Sequence, residues 1–257
     1  MRRRKGKGIY ILPNLLTSIS LFSGFYAIIA TIDRKFIYAA IAIFVSAIFD
    51  MLDGRVARMT GSSSKFGVEY DSLSDVIAFG VAPGLLVYMW ALKGYGRFGW
   101  LAAFLYVACG ALRLARFNIQ VETIQKKQFL GLPIPAAATV VAGSVLFNSW
   151  LVPHGIDVKT VFIPILIYIL AFLMVSDVRY FSSKNLAFFK GRPFRSTVTA
   201  VLLIVIIFLE PRITLFGLTF AYLLSGPIYT LAERKKIILE DAASHQKDNP
   251  ARQGGLL

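Results

Sequence analysis

Charge is scarce in this chain, and negative charge scarcest: 16% of the 257 residues are charged, with 14 Asp and Glu against 28 Lys and Arg. Soluble domains of this size carry about 25% charged residues, so a water-soluble core is excluded. Disorder, which requires low hydrophobicity, is excluded as well. Cysteine is nearly absent. Cys109 stands alone in an apolar stretch, which rules out a disulfide scaffold, a C-x-x-C pair and zinc spacing and leaves a small packing residue. The two histidines, His154 in a loop and His245 near the C-terminal end, stand apart from any cluster of acidic residues. No repeat of fixed period is present. What the chain has in abundance is apolar length: 56% of it is hydrophobic and its mean hydropathy is +0.65, the composition of an integral membrane protein.

A bilayer core about 30 Å thick needs roughly 20 mostly apolar residues per helix. Eight stretches approach that length: Tyr10 to Thr31, Phe36 to Leu52, Leu73 to Leu92, Phe98 to Leu114, Leu132 to Val152, Val161 to Ser176, Thr197 to Leu209 and Ile213 to Leu231. The first has no small-residue cleavage site after its apolar run and is expected to be a retained anchor. The fold class expected is an all-α polytopic membrane protein, a bundle of about eight transmembrane helices. Residues 1–232 form its membrane domain and residues 233–257 a polar cytoplasmic tail.

Alternating the loops from the N-terminus puts 22 of the 28 basic residues on one side, leaving Arg34, Lys35, Lys93, Arg97, Lys159 and Arg212 on the other. Under the positive-inside rule that asymmetry places both termini in the cytoplasm of a cell (inner) membrane protein. The formal charge of +14 is therefore mostly topology, with some capacity for anionic headgroups, and does not signal a nucleic-acid partner.

Against this shortage of acids, four aspartates fall within 26 positions: Asp50 and Asp53 at the end of the second stretch, Asp71 and Asp75 around the start of the third. Residues three or four apart share a helix face, so each pair points together from its own helix. Two helices joined by a short loop are antiparallel neighbours, and all four carboxylates can then converge at the membrane boundary. Unpaired, they would repel and resist desolvation, so a cation must balance them. Oxygen-only donors select hard divalent ions, Mg2+ or Mn2+ before Ca2+, and four carboxylates suffice for two. Paired ions suit pyrophosphate and in-line displacement at phosphorus. Gly54 and Ala57 leave room for a ligand near the backbone, and Arg58 offers a planar fork for phosphate oxygen. Gly67 precedes Asp71 by four, and Thr60, Gly61 and Ser62 to Ser64 form a small polar link.

Written out, Asp50-Met-Leu-Asp53-Gly54-Arg-Val-Ala57-Arg58, eight residues, Gly67, three residues, Asp71, three residues, Asp75 resembles the signature of the CDP-alcohol phosphotransferase family. The resemblance implies a polytopic enzyme that transfers the phosphatidyl or a similar group of a CDP-linked lipid to an alcohol and releases CMP, with two divalent ions. It further implies that Asp50, Asp53 and Asp71 are metal ligands, that Asp75 is both ligand and general base, and that Gly54, Ala57, Arg58 and Gly67 cradle the nucleotide diphosphate. A homodimer is implied on the same ground alone.

Three more segments look like the bacterial phosphatidylserine synthase branch: Asp71 to Pro83, Ala111 to Asn118, and Gly131-Leu-Pro133-Ile-Pro135. The branch implies CDP-diacylglycerol and L-serine as substrates. Pro13-Asn14-Leu-Leu-Thr17 resembles a family element near the nucleotide, with Asn14 and Thr17 as its hydrogen-bonding candidates or as polar links between helices. A serine acceptor wants a cationic fork for its carboxylate and a group for its ammonium. Arg113 and Arg116, three apart, are candidates for the fork or for lipid phosphate; Asn118 and Glu69 are candidates for orienting the acceptor. Pro133 and Pro135 mark a helix entry. Two alternatives stay open: another acceptor, such as glycerol 3-phosphate or inositol phosphate, and a cation transporter using the aspartates as its ion site.

Overall fold

The computed structural model describes residues 11–62, 64–123, 129–180, 198–199, 201, 205 and 208–247. Among these residues seven helices carry the architecture: α1 (Ile11–Ile32), α2 (Phe36–Thr60), α3 (Lys65–Tyr95), α4 (Arg97–Thr123), α5 (Ile134–Leu151), α6 (Phe162–Val175) and α7 (Pro211–Lys247). Six are long and apolar enough to cross a membrane; α6, at 14 residues, is a shorter apolar helix. The expected count of eight is therefore not what the described residues display. The stretch from Thr197 to Leu209 lies largely outside them. The expected boundary at 233 falls inside α7, whose backbone runs on to Lys247.

With lipid tails outside, helices gain little from hydrophobicity and associate through small residues and hydrogen bonds. The seam of α1 and α2 follows that rule. Ser23, Gly24, Ala27 and Ala30 are buried on α1, Ala39, Ala40 and Ala42 on α2, and between them Ser20 and Ser46 each donate a hydroxyl to the other's carbonyl oxygen at 3.1 and 2.9 Å. Helix α3 packs on α1, α4 on α6, and α5 lies among α2, α6 and α7. α5 is the centre of the bundle. Ala137, Ala138, Val140, Val141 and Ala142 are all buried, as befits a helix apolar on every side. Large side chains such as Phe22, Phe104 and Phe172 stay exposed on the outer faces, where lipid meets them.

At one end the chain after α4 and the chain after α6 pair as a two-residue antiparallel ladder, β1 (Phe129–Leu130) and β2 (Arg179–Tyr180). Gly131 comes next at φ 79°, against the carbonyl of Met174, where no side chain fits. Pro133 and Pro135 then open α5, as their spacing suggests. Tyr180 is buried and donates its hydroxyl to the Leu223 carbonyl at 3.2 Å, while the Arg179 guanidinium meets Glu233 at 2.6 Å. This clip ties the ladder to α7.

Candidate active site

Helix α2 does not stop where its apolar run stops. It continues two turns further, to Thr60, and α3 begins at Lys65, well before its own apolar stretch. Gly61 closes α2 in the left-handed conformation at φ 59°, its N–H donating to the Ala57 carbonyl. Ser64 opens α3 by accepting the Gly67 N–H on its hydroxyl at 3.0 Å. These two caps make a tight antiparallel turn of the polar link; the protruding turns carry Asp53 and Asp71, with Asp50 and Asp75 just inside the apolar runs.

One carboxylate oxygen from each of Asp50, Asp53 and Asp71 lies within 4.8 Å of the others. Asp75, one turn deeper on α3, has its carboxyl within hydrogen-bonding reach of Asp50. Asp53 is buried and is held by the Thr17 hydroxyl of α1, which donates to its Oδ2 at 2.7 Å and also lies 3.1 Å from the Pro13 carbonyl. Ser74, between Asp71 and Asp75, reaches the Thr17 carbonyl at 3.4 Å. Among the described residues none of the four aspartates forms an ion pair with Lys or Arg. Asp71 Oδ1 is buried without any hydrogen-bond partner. Clustered carboxylates with no cationic neighbour in contact, one oxygen orphaned and no nitrogen or sulfur donor beside them, fit a hard divalent cation. Asp50, Asp53 and Asp71 are the residues able to hold it.

A cleft of about 170 Å³ opens from this cluster, with Asp53 and Asp71 in its lining. Gly54, Ala57 and Arg58 line it from α2, Asn14 and Thr17 from α1, and Ser62, Ser64 and Gly67 from the turn. The Arg58 guanidinium folds back over Gly54, where a Cβ would stand 3.3 Å from its Nη1. At Gly67 a Cβ would meet Ser64 Oγ at 3.1 Å and Asn14 Oδ1 at 3.2 Å. Both glycines thus keep clear a wall that bears one cation and several small hydrogen-bonding groups, a surface suited to phosphate and a polar base.

The acceptor candidates are distributed differently. Arg113 is 7% exposed, its Nε has no hydrogen-bond partner, and its electrostatic neighbours are Tyr222 of α7 and Asp75. Arg116 is engaged by Asp177 instead, Nη2 to Oδ1 at 2.7 Å on the exposed surface. Asn118 donates to the Ser72 hydroxyl at 2.9 Å and so braces α4 against the aspartate-bearing turn of α3. Glu69 is exposed; two positions from Asp71, it leaves the helix on nearly the opposite side. Tyr222 was not legible from sequence, since only tertiary packing brings α7 to Arg113. Tyr106 of α4, buried against α3, is likewise invisible in any local pattern.

Residues 10–226 match the family model described as CDP-alcohol phosphatidyltransferase. The CDP-diacylglycerol–serine O-phosphatidyltransferase of Helicobacter pylori (strain ATCC 700392 / 26695) is 38% identical over 231 residues, 90% of this chain and 95% of that protein. The enzyme of the same name from Methanocaldococcus jannaschii is 38% identical over 67% of this chain and 74% of its own. The archaetidylserine synthase of Methanothermobacter thermautotrophicus is 38% identical over 70% of this chain and 73% of its own.

Proposed function

The chain belongs to the CDP-alcohol phosphatidyltransferase family, and on that premise we propose that it transfers the phosphatidyl group of CDP-diacylglycerol to the hydroxyl of L-serine, giving phosphatidylserine and CMP. The observation that carries the reading is the aspartate cluster: Asp50, Asp53 and Asp71 converge within 4.8 Å, and Asp75 sits against Asp50. Arg58 flanks the cleft that leads away from it. Serine as acceptor follows from the names of the relatives and from one buried arginine, Arg113, with an unmet Nε beside Asp75.

In this reading Asp50, Asp53, Asp71 and Asp75 would hold two Mg2+ or Mn2+ ions, which when bound would supply positive charge to the diphosphate and to the departing CMP. The side chains do the rest. Arg58 takes a phosphate oxygen, with Gly54, Ala57 and Gly67 leaving the backbone open to the diphosphate and Asn14 near the nucleotide. Thr17 acts through Asp53, whose carboxylate it orients. Arg113 receives the serine carboxylate and turns the hydroxyl toward Asp75. Asp75 removes the hydroxyl proton as the serine oxygen bonds to the phosphatidyl phosphorus, and the bond from that phosphorus to the CMP oxygen breaks. Product leaves sideways into the lipid. The enzyme works as an integral protein of the cell membrane with both termini, and the site, on the cytoplasmic side, and as a homodimer.

CMP release by the purified protein tests this, with CDP-diacylglycerol, Mn2+ or Mg2+ and one acceptor at a time. Serine is expected to support release, while glycerol 3-phosphate and inositol phosphate are not. Asp75→Asn is expected to bind the CDP-lipid and release no CMP. Wild-type turnover by that variant would remove Asp75 from the role of base.

A further inference from the structure

Helical regularity breaks immediately after Asp75. From Val76 to Val81 α3 widens into a π-helical turn, and the Ala82 N–H donates to Ile77, five residues back. Pro83 lies just beyond, inside the same continuous helix. In an α-helix the N–H of position 83 would serve the carbonyl of Phe79, and proline has none to give. Phe79 is fully buried, so its carbonyl has no access to water and an unmet acceptor there is costly. Another helix meets it. Tyr106 of α4, itself 0% exposed, donates its hydroxyl to the Phe79 carbonyl at 3.0 Å.

Two contacts fix α3 here, one at the start of the turn and one within it. At its start Asp75 faces Asp50 across the site. Within it Ala78 lies against Gly24 of α1 so closely that a Cβ on Gly24 would stand 2.6 Å from the Ala78 Cα. One extra residue in a helical turn rotates the helix on its C-terminal side by about 100° relative to the helix on its N-terminal side. With Ala78 clamped on α1 and Gly84, beyond the turn, set so close to α4 that a Cβ there would stand 2.7 Å from Val107 Cγ2, closing the wide turn to an ordinary one rotates Asp75 instead. Π-helical turns are uncommon and are kept where something holds them open; here the missing N–H of Pro83 and the added donor of Tyr106 do so.

We propose that Pro83 and Tyr106 hold the π turn that aims the Asp75 carboxyl, and that Tyr106 is a positioning residue for the transfer reaction. The inference rests on Asp75 being the base. It differs from a role in packing alone, because Pro83→Ala separates the two. That substitution returns an N–H to the Phe79 carbonyl and lets α3 close up, so stability is kept while the direction of Asp75 is lost.

The full-length protein in lipid nanodiscs carries the test, with thermal midpoint, CDP-diacylglycerol binding, and KM and kcat from CMP release measured on each variant. Tyr106→Phe and Pro83→Ala are each expected to lower kcat at least tenfold with KM for the CDP-lipid within twofold. The midpoint is expected to fall for Tyr106→Phe and to hold or rise for Pro83→Ala. The double variant is expected to regain the midpoint and not kcat. Wild-type kcat in Pro83→Ala, or recovery of kcat together with the midpoint in the double variant, would overturn the proposal. If Tyr106→Phe does not fold, Pro83→Ala decides alone. Asp75→Asn in parallel separates the premises: an active Asp75→Asn ends the reading of Asp75 as base, whereas an inactive one beside a fully active Pro83→Ala ends only this inference.

Discussion

Thr17 lies 36 positions from the carboxylate it holds, on a different helix, and its hydroxyl bridges the Pro13 carbonyl and Asp53 Oδ2. A hydroxyl has one proton, and the 2.7 Å bond to a carboxylate is the better use of it, as charge-assisted bonds are the shorter and stronger ones. Asp53 is thereby fixed in one rotamer before any ion arrives. Outer partners of this kind typically shift metal affinity by about 10–100-fold. Thr17→Val keeps the shape and removes the donor. The Mn2+ concentration that half-saturates CMP release is expected to rise by about that factor, with kcat at saturating Mn2+ near wild type. An unchanged Mn2+ dependence would mean that Asp53 needs no support from α1. Arg113 and Arg116 show the same sensitivity to tertiary context. Their spacing makes them look like one fork, yet Arg116 is engaged by Asp177, 61 positions on, and Arg113 alone is buried with an unmet donor.

At the scale of elements, α1 and α3 touch through backbone. A Cβ on Gly24 would lie 2.6 Å from both Cα and Cβ of Ala78, and neither helix has a flexible side chain there to give way. Gly24→Ala is expected to push α1 off α3 and cost about 1–3 kcal/mol, the usual range for overpacking. Gly217→Ala on α7, with nothing within 4 Å of its Cβ, is the control and should lose nothing. Thermal unfolding in detergent measures both, and equal midpoints would remove the close contact from the account. The helix ends show which part of this was legible. The spacing of the aspartates placed each pair on one face correctly, because a 3.6-residue period needs no tertiary information. The apolar windows stopped at Leu52 and restarted at Leu73, whereas the helices run to Thr60 and back to Lys65. Hydropathy sees where lipid ends, while Gly61 and the Ser64 hydroxyl decide where helix ends. The polar turns between those two limits carry Asp53 and Asp71, and Asp50 and Asp75 sit one turn inside the apolar windows. Among the described residues the stretch from Val161 to Ser176 forms the 14-residue helix Phe162–Val175, while the stretch from Thr197 to Leu209 lies largely outside them.

At the scale of the whole molecule, contacts between connections sort the bundle into two ends. The Tyr95 hydroxyl reaches the Thr160 carbonyl, so the turn after α3 and the connection after α5 share one end, with Lys93, Arg97 and Lys159. At the other end stand the aspartates, Asn118 on Ser72 and Arg116 on Asp177, together with Arg55, Arg58 and Lys65. With Arg113, Arg179 and, on α7, Arg234, Lys235, Lys236 and Lys247 also at this end, it outnumbers the other in Lys and Arg even when Arg34, Lys35 and Arg212 are counted there; in the orientation proposed, on the positive-inside rule, it faces the cytoplasm. Cysteine labelling checks this. Cys109 is buried and can be replaced by Ala to give a silent background. Lys159, with a side chain 42% exposed, and the exposed Lys65 are the reporters. In intact cells a membrane-impermeant maleimide is expected to label Lys159→Cys and to leave Lys65→Cys untouched until the membrane is permeabilised. The opposite pattern would turn the molecule over and overturn the proposed cytoplasmic site. In the proposed orientation the sparse acidic residues and the abundant basic ones have one explanation between them: the cations orient the bundle, and the orientation brings four aspartates to its cytoplasmic face.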